Sequence, residues 1–220
     1  MSEAVTPTVE DYLGLIYIME REGQAVIGAR LAGRLRVSRP TVTTTLQRMV
    51  RAGLVELNER KEISLTPAGR EAAQELLRRH MLAEWLLREV VGLPWHHVHE
   101  EAGRLEHHFS EEAVTRMEAL FEQPDACPHG NPMPGVVAAP TVALSEIPER
   151  GEATVVRIVE EAEEQHELMA FLEETGFLPG VRVRVLSHLP CNETMTVEVG
   201  GRPAVLGLAV ARYVRVQQET

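Results

Sequence analysis

Apolar positions recur at helical spacing through the first third of the chain, and two breaks divide them into three segments. Residues 8–23, TVEDYLGLIYIMEREG, open with a threonine and acidic side chains and stay apolar until the glycine, which predicts a first helix. A short second helix is expected over 28–35. A third opens at Ser38, carries Pro40 in its first turn and ends at Gly53.

Two short alternating segments follow around the charged turn 58–61, in LVELNERKEISL, and predict a hairpin. Three helices followed by a hairpin with a basic tip are typical of a winged helix-turn-helix. From Thr66 the pattern becomes helical again over 66–93, over about 94–109, and from a Ser110 cap onwards. These helices are too apolar on one side to stand alone, and we expect them to pack on each other and on a second copy of the chain.

The remainder predicts a linker and a β-rich unit. Residues 123–140 are rich in Pro and Gly, which indicates a linker. Alternating valines, with a turn at Gly200 and Gly201, suggest a compact barrel. The predicted fold class is therefore mainly α with a small β domain. We expect three domains: a winged helix-turn-helix over 1–75, a helical dimerisation and metal-binding domain over 76–140, and an SH3-like domain over 141–220.

Composition places the chain among ordinary globular proteins, with 220 residues, 44% hydrophobic and 25% charged. No apolar run approaches the roughly 18 residues that a membrane span needs, and the N-terminus lacks the pattern of a secretory signal. Two cysteines do not make a disulfide framework. We expect a cytoplasmic protein with no membrane partner.

The net charge of −11 argues against nucleic acid until its distribution is considered. Residues 1–75 are neutral overall, and residues 28–61 hold eight basic side chains against two acidic ones. Such a local excess suits phosphate contacts, although a solvated basic surface or a protein-interaction module remains open. The predicted DNA-contact residues lie on the third helix and the hairpin tip: Ser38, Arg39, Pro40, Thr41, Thr43, Thr44, Gln47, Arg48, Arg51, Arg60 and Lys61.

Histidines and carboxylates concentrate in the predicted helical domain. The stretch HHVHEEAGRLEHH, residues 96–108, holds five of the nine histidines. His80 and Glu84 share a helix face by their i, i+4 spacing, and the i, i+7, i+8 spacing places His99, Glu106 and His107 on another. Packed together, the two faces predict one cation site for Mn²⁺, Fe²⁺ or Zn²⁺. A polar, solvated face is the alternative, and we interpret His96, His97 and His108 as solvated neighbours.

These motifs together resemble the iron- and manganese-dependent repressors of the diphtheria toxin repressor type. The resemblance rests on EDYLGLIY (10–17), SRPTVTTTLQRM (38–49), GLVELNERKEISLTPAGR (53–70), RRHMLAEWLL (78–87), VHEEAGRLEHHFS (98–110) and CPHGNPMPG (127–135). The segment GFLPGVRVRV (176–185) is similar to the SH3-like domain of longer members. The resemblance implies a homodimer that binds a divalent metal as co-repressor and then a palindromic operator of metal-homeostasis genes.

The resemblance also implies two metal sites. By position, Asp11, Glu106 and His107 fall on the primary activating site. His80, Glu84 and His99 fall on or beside the second. Members with Cys-Pro-His in the linker imply that Cys127 and His129 join Glu84 together with an acid of the SH3-like domain. We predict Glu164 for that acid, with Glu163 and Glu167 as neighbours that could replace it.

Two departures from the family pattern bear on the metal. Gly103 stands where relatives have Cys or Glu, so its carbonyl or a water would have to substitute at the primary site. Asp11 stands where iron-type relatives have Met, and a hard carboxylate favours Mn²⁺; Cys127 favours Fe²⁺ slightly, and Zn²⁺ stays possible. We expect a cation joining Asp11 to Glu106 and His107 to couple metal binding to DNA binding.

Two other functions fit parts of the pattern. A metal-independent winged-helix regulator would sense a small organic ligand and would bind DNA in the presence of a chelator. A metalloenzyme would use the His/Glu cluster with an open coordination position. Neither a metalloprotease HExxH motif nor a nucleophile and base constellation occurs in the sequence, so we expect no enzymatic activity.

Overall fold

The computed structural model describes residues 6–218 and divides the chain into two compact units, residues 1–79 and 80–220. The first unit is a three-helix domain with a hairpin. Its elements are α1 (Pro7–Arg21), α2 (Gly28–Arg34), α3 (Arg39–Arg51), β1 (Val55–Leu57), β2 (Ile63–Leu65) and the first part of α4 (Pro67–Trp85). The core of the unit contains the fully buried Tyr12, Leu13, Ile16, Leu31 and Met49. The predicted winged helix-turn-helix is confirmed.

Local signals account for most of the boundaries in this unit. The Ser38 side chain accepts a hydrogen bond from the Thr41 backbone N–H at 3.2 Å, which caps α3 where the sequence predicts its start. At the hairpin tip, Oδ1 of Asn58 accepts the backbone N–H groups of Arg60 and Glu62. The first helix begins earlier than predicted, with Thr6 in place of Thr8 as its cap, because Pro7 already suits the first turn.

The helices of the second unit are less regular than their apolar pattern predicts. After α4 the chain makes a π-helical turn (Leu86–Val91), and a 3₁₀ turn (Trp95–His97) precedes α5 (Val98–Leu105). Another 3₁₀ turn (Glu106–His108) leads into α6 (Glu111–Leu120), which Ser110 caps as expected. The single helix predicted over 94–109 is therefore wrong at both ends. Glu106 and His107 leave α5 at a tighter turn, which changes the direction of their side chains.

The C-terminal part of this unit is a six-stranded antiparallel sheet. Its strands are β3 (Val142–Ala143), β4 (Glu152–Ile158), β5 (Arg182–Leu189), β6 (Thr194–Val199), β7 (Arg202–Gly207) and β8 (Val214–Gln218), in the order β3-β8-β4-β5-β6-β7. Three short helices accompany it: α7 (Glu160–Glu163), α8 (His166–Thr175) and α9 (Leu208–Ala211). Gly200 and Gly201 make the predicted turn with positive φ. Alternate strand residues fill one core, to which Trp95 also contributes.

The Pro/Gly-rich segment is not the plain linker that its composition predicts. Cys127, His129, Asn131 and Met133 are buried. The amide of Asn131 donates to the carbonyl of Ile158 at 2.7 Å, which holds the loop against the end of β4. Across residues 6–218, every helix is too short or too polar to traverse a bilayer. The finer domain boundaries at 75/76 and 140/141 stay a prediction.

Candidate metal centre and nucleic-acid interface

Glu84 lies at the centre of a buried group of imidazoles. It occupies the turn of α4 that follows His80, and its Oε1 lies 3.1 Å from Nε2 of His80. The same oxygen lies 3.1 Å from Nδ1 of His99 on α5. The two imidazole nitrogens are 3.0 Å apart. The spacing argument correctly brings these three side chains together.

A second carboxylate and a third imidazole complete the cluster. Nδ1 of His129 lies 3.5 Å from Oε1 of Glu84 and 3.5 Å from Oε2 of Glu163. That oxygen of Glu163 is also 2.9 Å from Nδ1 of His99. Ligand atoms of Glu84, His129 and the buried Cys127 all lie within 4.8 Å of one another. Four separate stretches of chain therefore meet at one buried point, and the cluster is hereafter the Glu84 cluster: His80, Glu84, His99, Cys127, His129 and Glu163.

The tautomer of His129 is fixed from outside the cluster. Its Nε2 lies 3.1 Å from the carbonyl oxygen of Trp95, which can only accept a hydrogen bond, so Nε2 carries the proton. The ring also packs on the Trp95 indole, with 4.6 Å between centroids. When His129 is neutral, the lone pair of Nδ1 therefore faces two carboxylates. That arrangement is repulsive unless a proton or a metal cation lies between them.

The acid of the β-rich domain that lies in the Glu84 cluster is Glu163, one of the two neighbours named as replacements for the predicted Glu164. Glu163 is buried and receives a hydrogen bond from the Asn131 amide at 2.5 Å. The amide oxygen of Asn131 in turn accepts from Arg157 at 2.9 Å. Glu164 is exposed, because adjacent positions of a helical turn face different ways. Glu160 and Glu163, spaced i, i+3 on α7, are both buried, and this orientation of the short helix is visible only in the structure.

The carboxylates of the cluster raise the pKa values of its imidazoles. Burial opposes the charged form of His80, but hydrogen bonds to Glu106 and Glu84 outweigh it and raise the pKa of His80 to about 9. The same competition raises the pKa of His99 and of His129, where Glu163 and Glu84 overcome burial. Burial of Glu84 is outweighed by His129, His80 and His99, which hold its pKa well below the ordinary value.

The Glu84 cluster has the chemistry of a divalent-metal site. Oε2 of Glu84 and Nδ1 of His129 are buried and make no hydrogen bond of normal geometry within residues 6–218. Burial, with the nearby Glu84 and Glu163, also raises the pKa of the Cys127 thiol well above its ordinary value, which a bound cation would reverse. Carboxylates and imidazoles with one thiol fit Mn²⁺, Fe²⁺ or Zn²⁺.

The residues predicted for the primary site are divided between the two units. Asp11 is exposed on α1 of the first unit. In the second unit, Nε2 of His107 lies 3.4 Å from Oε1 of Glu106, and Gly103 is exposed, with open space where a Cβ would lie. The geometry does not favour the single cation predicted for both helix faces. Glu106 contacts Nδ1 of His80, on the opposite side of the ring from Nε2, which faces Glu84 and His99. The participation of Asp11 stays a prediction.

All predicted DNA-contact residues are exposed on the first unit. The opposite face of α3 is buried through Val42, Thr45, Leu46 and Met49. The hydroxyls of Thr43 and Thr44 donate to the carbonyls of Arg39 and Pro40 within the helix. Their methyl groups and the side chains around them are therefore left to form the outer surface of α3. This surface has the size and polarity of a recognition helix.

Comparison with known proteins assigns three domain families along the chain. Residues 4–63 match the iron-dependent repressor N-terminal DNA-binding domain, residues 66–135 match the iron-dependent repressor metal-binding and dimerisation domain, and residues 142–218 match the FeoA domain. The chain is 36% identical over 224 residues to the iron-dependent repressor IdeR of Mycobacterium leprae, with 96% of this chain and 97% of the relative covered.

Two further similarities point the same way. The diphtheria toxin repressor of Corynebacterium efficiens is 37% identical over 192 residues, with 82% of this chain and 84% of the relative covered. A solved manganese-dependent transcriptional repressor in complex with manganese superposes with a TM-score of 0.87 at 29% identity, covering 96% of this chain and 99% of that one. These similarities support a metal-dependent regulator over a winged-helix regulator of organic ligands. The chain therefore belongs to the iron-dependent repressor family of metal-dependent transcriptional regulators, in the form that carries a C-terminal SH3-like FeoA domain.

Proposed function

We propose that Mn²⁺, in preference to Fe²⁺, acts as the co-repressor of this regulator. The activated homodimer then binds a palindromic operator of metal-homeostasis genes. The observation that carries the metal dependence is the lone-pair position of His129, which faces the carboxylates of Glu84 and Glu163 at 3.5 Å. Three imidazoles, two carboxylates and the Cys127 sulfur would hold the cation. When bound, it supplies the positive charge that otherwise comes from protons.

The protein's own residues prepare this site. The Trp95 carbonyl fixes the tautomer of His129, and Asn131 orients Glu163. Because these supports come from the 95–97 turn and the 126–133 loop, a cation in the Glu84 cluster would stabilise the attachment of the β-rich domain to the helices of the same unit. Such outer contacts typically change metal affinity by about 10–100-fold when removed.

The preference for manganese rests on the hardness of the ligands. Carboxylates suit Mn²⁺, whereas the thiolate of Cys127 would strengthen binding of Fe²⁺ and Zn²⁺. The similar proteins include both types, a manganese-dependent repressor in complex with manganese and iron-dependent repressors. Asp11, a carboxylate predicted for the primary site, tilts the balance to Mn²⁺.

The test is binding of a labelled palindromic promoter fragment at fixed salt, with EDTA and then with Mn²⁺, anaerobic Fe²⁺ or Zn²⁺. We expect binding only with metal, with Mn²⁺ effective at free concentrations where Fe²⁺ is not. Equal binding in EDTA would exclude metal activation. Activation by Fe²⁺ at lower concentrations than Mn²⁺ would reverse the assignment of the metal. Asp11→Ala should weaken the metal dependence; an unchanged dependence would remove Asp11 from the activating site.

A further inference from the structure

We propose that His96, His97 and His166 form an additional divalent-cation site, suited to Zn²⁺ and separate from the Glu84 cluster. One ring nitrogen from each residue can be chosen so that all three lie within 4.8 Å of one another. His96 and His97 belong to the 95–97 turn, and His166 is the first residue of α8 in the β-rich domain. Three imidazoles brought together from distant parts of the chain are a ligand set that the Glu84 cluster does not need.

The three rings are in mutual contact. Their centroids are 4.4 Å apart for His96 and His97, 4.4 Å for His97 and His166, and 4.9 Å for His96 and His166. Rings this close to one another can each direct one nitrogen towards a common cation. His166 is exposed, which leaves an entry path for an ion.

Glu173 orients one of the proposed ligands. Its carboxylate contacts Nδ1 of His96, and it also accepts the backbone N–H groups of His96 at 3.2 Å and of Trp95 at 3.1 Å. With Nδ1 engaged by Glu173, Nε2 of His96 is the nitrogen that remains for a cation. A carboxylate behind a ligating histidine is the usual outer support of a zinc site, because it fixes the ring and makes it a better donor.

The ligand chemistry separates this site from the manganese site. Three neutral imidazoles and a water make the tetrahedral set that Zn²⁺ accepts, whereas Mn²⁺ gains little without carboxylate ligands. Nitrogens around a tetrahedral Zn²⁺ lie about 3.4 Å apart, whereas the three ring nitrogens here lie within 4.8 Å of one another. Rotation of the exposed His166 ring and the half-buried His97 ring would bring the nitrogens to the tetrahedral spacing. A bound cation would hold the 95–97 turn against α8, next to the Trp95 side chain that enters the core of the β-rich domain.

The experiment measures bound Zn²⁺ on the full-length protein. Wild type, His166→Ala, His97→Ala and the control His108→Ala, which removes another exposed histidine, are stripped with EDTA and titrated with Zn²⁺ against a chromophoric chelator. Co²⁺ titration then reports a tetrahedral nitrogen site by its visible absorption. We expect His166→Ala and His97→Ala each to lose about one Zn²⁺ equivalent per chain and its Co²⁺ band, and His108→Ala to lose neither.

The readouts distinguish this site from the proposed function. His166→Ala should keep Mn²⁺-dependent operator binding, and Glu163→Gln should keep the Zn²⁺ equivalent that His166→Ala loses. Melting curves in EDTA show whether each variant folds, and His97→Ala carries the test if His166→Ala does not fold. Equal Zn²⁺ counts and Co²⁺ spectra in wild type and both folded variants would overturn the proposal. Weak binding that His108→Ala reduces equally would overturn it too, because it would show adventitious binding by surface histidines.

Discussion

Nδ1 of His80 lies 2.6 Å from Oε2 of Glu106, a contact between residues that the sequence predicts for two different metal sites. Nε2 of the same imidazole faces Glu84 at 3.1 Å. One buried ring therefore contacts both a carboxylate of the Glu84 cluster and a predicted ligand of the primary site. A change in the protonation or ligation of His80 therefore alters the hydrogen bonds of both Glu84 and Glu106. This contact is a direct route of coupling between the two predicted sites.

The first prediction concerns this contact. Glu106→Gln should lower the pKa of His80 in the metal-free protein, because the hydrogen bond to Glu106 is the largest of the interactions that raise it. Histidine ring signals followed by NMR over pH 5–10 in EDTA would measure the shift. Glu112→Gln is the matched control, since Glu112 is an exposed partner of Arg116. A pKa of His80 that stays near 9 in Glu106→Gln would contradict the contact.

Metal binding should release protons, and its affinity should rise with pH. His80 has a pKa of about 9 without metal, whereas a ligating imidazole must be neutral. Below pH 9 the metal therefore displaces a proton, and affinity should increase by up to about tenfold per pH unit for each proton displaced. Calorimetry of Mn²⁺ binding in buffers of different ionisation enthalpy measures the number of protons released. An Mn²⁺ affinity that does not change between pH 6.5 and pH 8.5 would exclude displacement of protons by the metal.

The same pKa shift predicts an opposite trend for the metal-free protein. A folded-state pKa raised above the unfolded value stabilises the fold fully below the unfolded pKa of about 6.5, and the contribution is lost as pH rises through about 9. Urea unfolding in EDTA should therefore show His80 contributing less stability at pH 9.5 than at pH 6. His80→Gln should flatten that part of the pH dependence, and an unchanged slope would show that other groups cause it.

Glu163 and its neighbour Glu164 offer a matched pair for the metal site. Glu163→Gln removes a carboxylate 2.9 Å from His99 and 3.5 Å from His129, and should weaken Mn²⁺ binding at the Glu84 cluster by about tenfold or more. Glu164→Gln makes the same chemical change at an exposed position and should leave affinity within about twofold. A larger effect of Glu164→Gln would favour the ligand that the sequence predicts over the one that the geometry favours.

Substitutions on the DNA-binding face distinguish two kinds of DNA contact. Lys61→Ala at the hairpin tip should weaken binding to all DNA sequences and reduce the slope of log affinity against log salt by about 1. Gln47→Ala on α3 should cost about 1–3 kcal/mol on the operator while leaving non-specific binding unchanged. Arg116→Ala, an exposed arginine of the second unit, controls for charge. Uniform weakening by Gln47→Ala would reassign it to a phosphate contact.

Local patterns in the sequence are sufficient for the DNA-binding unit. The apolar face of α3, its Ser38 cap and the Asn58 turn are all encoded within a few residues, so exposure of the opposite face follows directly. The His80–Glu84 pair is equally accessible, because i, i+4 spacing on a regular helix decides which side chains meet.

The features of the second unit that the sequence does not predict depend on contacts between distant segments. The 123–140 segment has the composition of a linker, and its burial is decided by Asn131 meeting Ile158 and by His129 meeting Trp95. The choice of Glu163 over Glu164 depends on the short helix α7, whose orientation no local pattern fixes. The sequence predicts solvated rings for His96 and His97, because no local spacing relates them to His166. In the structure both rings contact His166, which lies on α8 in another predicted domain.

The 126–133 loop gives the last prediction, through Gly130. A Cβ at this position would lie 2.0 Å from the carbonyl oxygen of Val156 and 2.9 Å from Cα of Arg157, and its φ is +85°. Gly135 has a similar φ of +87°, but nothing lies within 4 Å of its Cβ position. Both alanine substitutions carry the conformational cost of a left-handed residue, and only Gly130→Ala adds a collision with β4.

Gly130→Ala should therefore lose roughly 1–3 kcal/mol more stability than Gly135→Ala, the usual cost of inserting a methyl group into packed structure. It should also weaken Mn²⁺ binding, since His129 precedes it and cannot keep both its Trp95 contact and its place beside Glu84 when the loop moves. Urea unfolding in EDTA and Mn²⁺ titration of both variants measure the two effects. Equal stability and equal affinity would mean that the loop relaxes without moving His129, and that its close packing on β4 is not what positions this ligand.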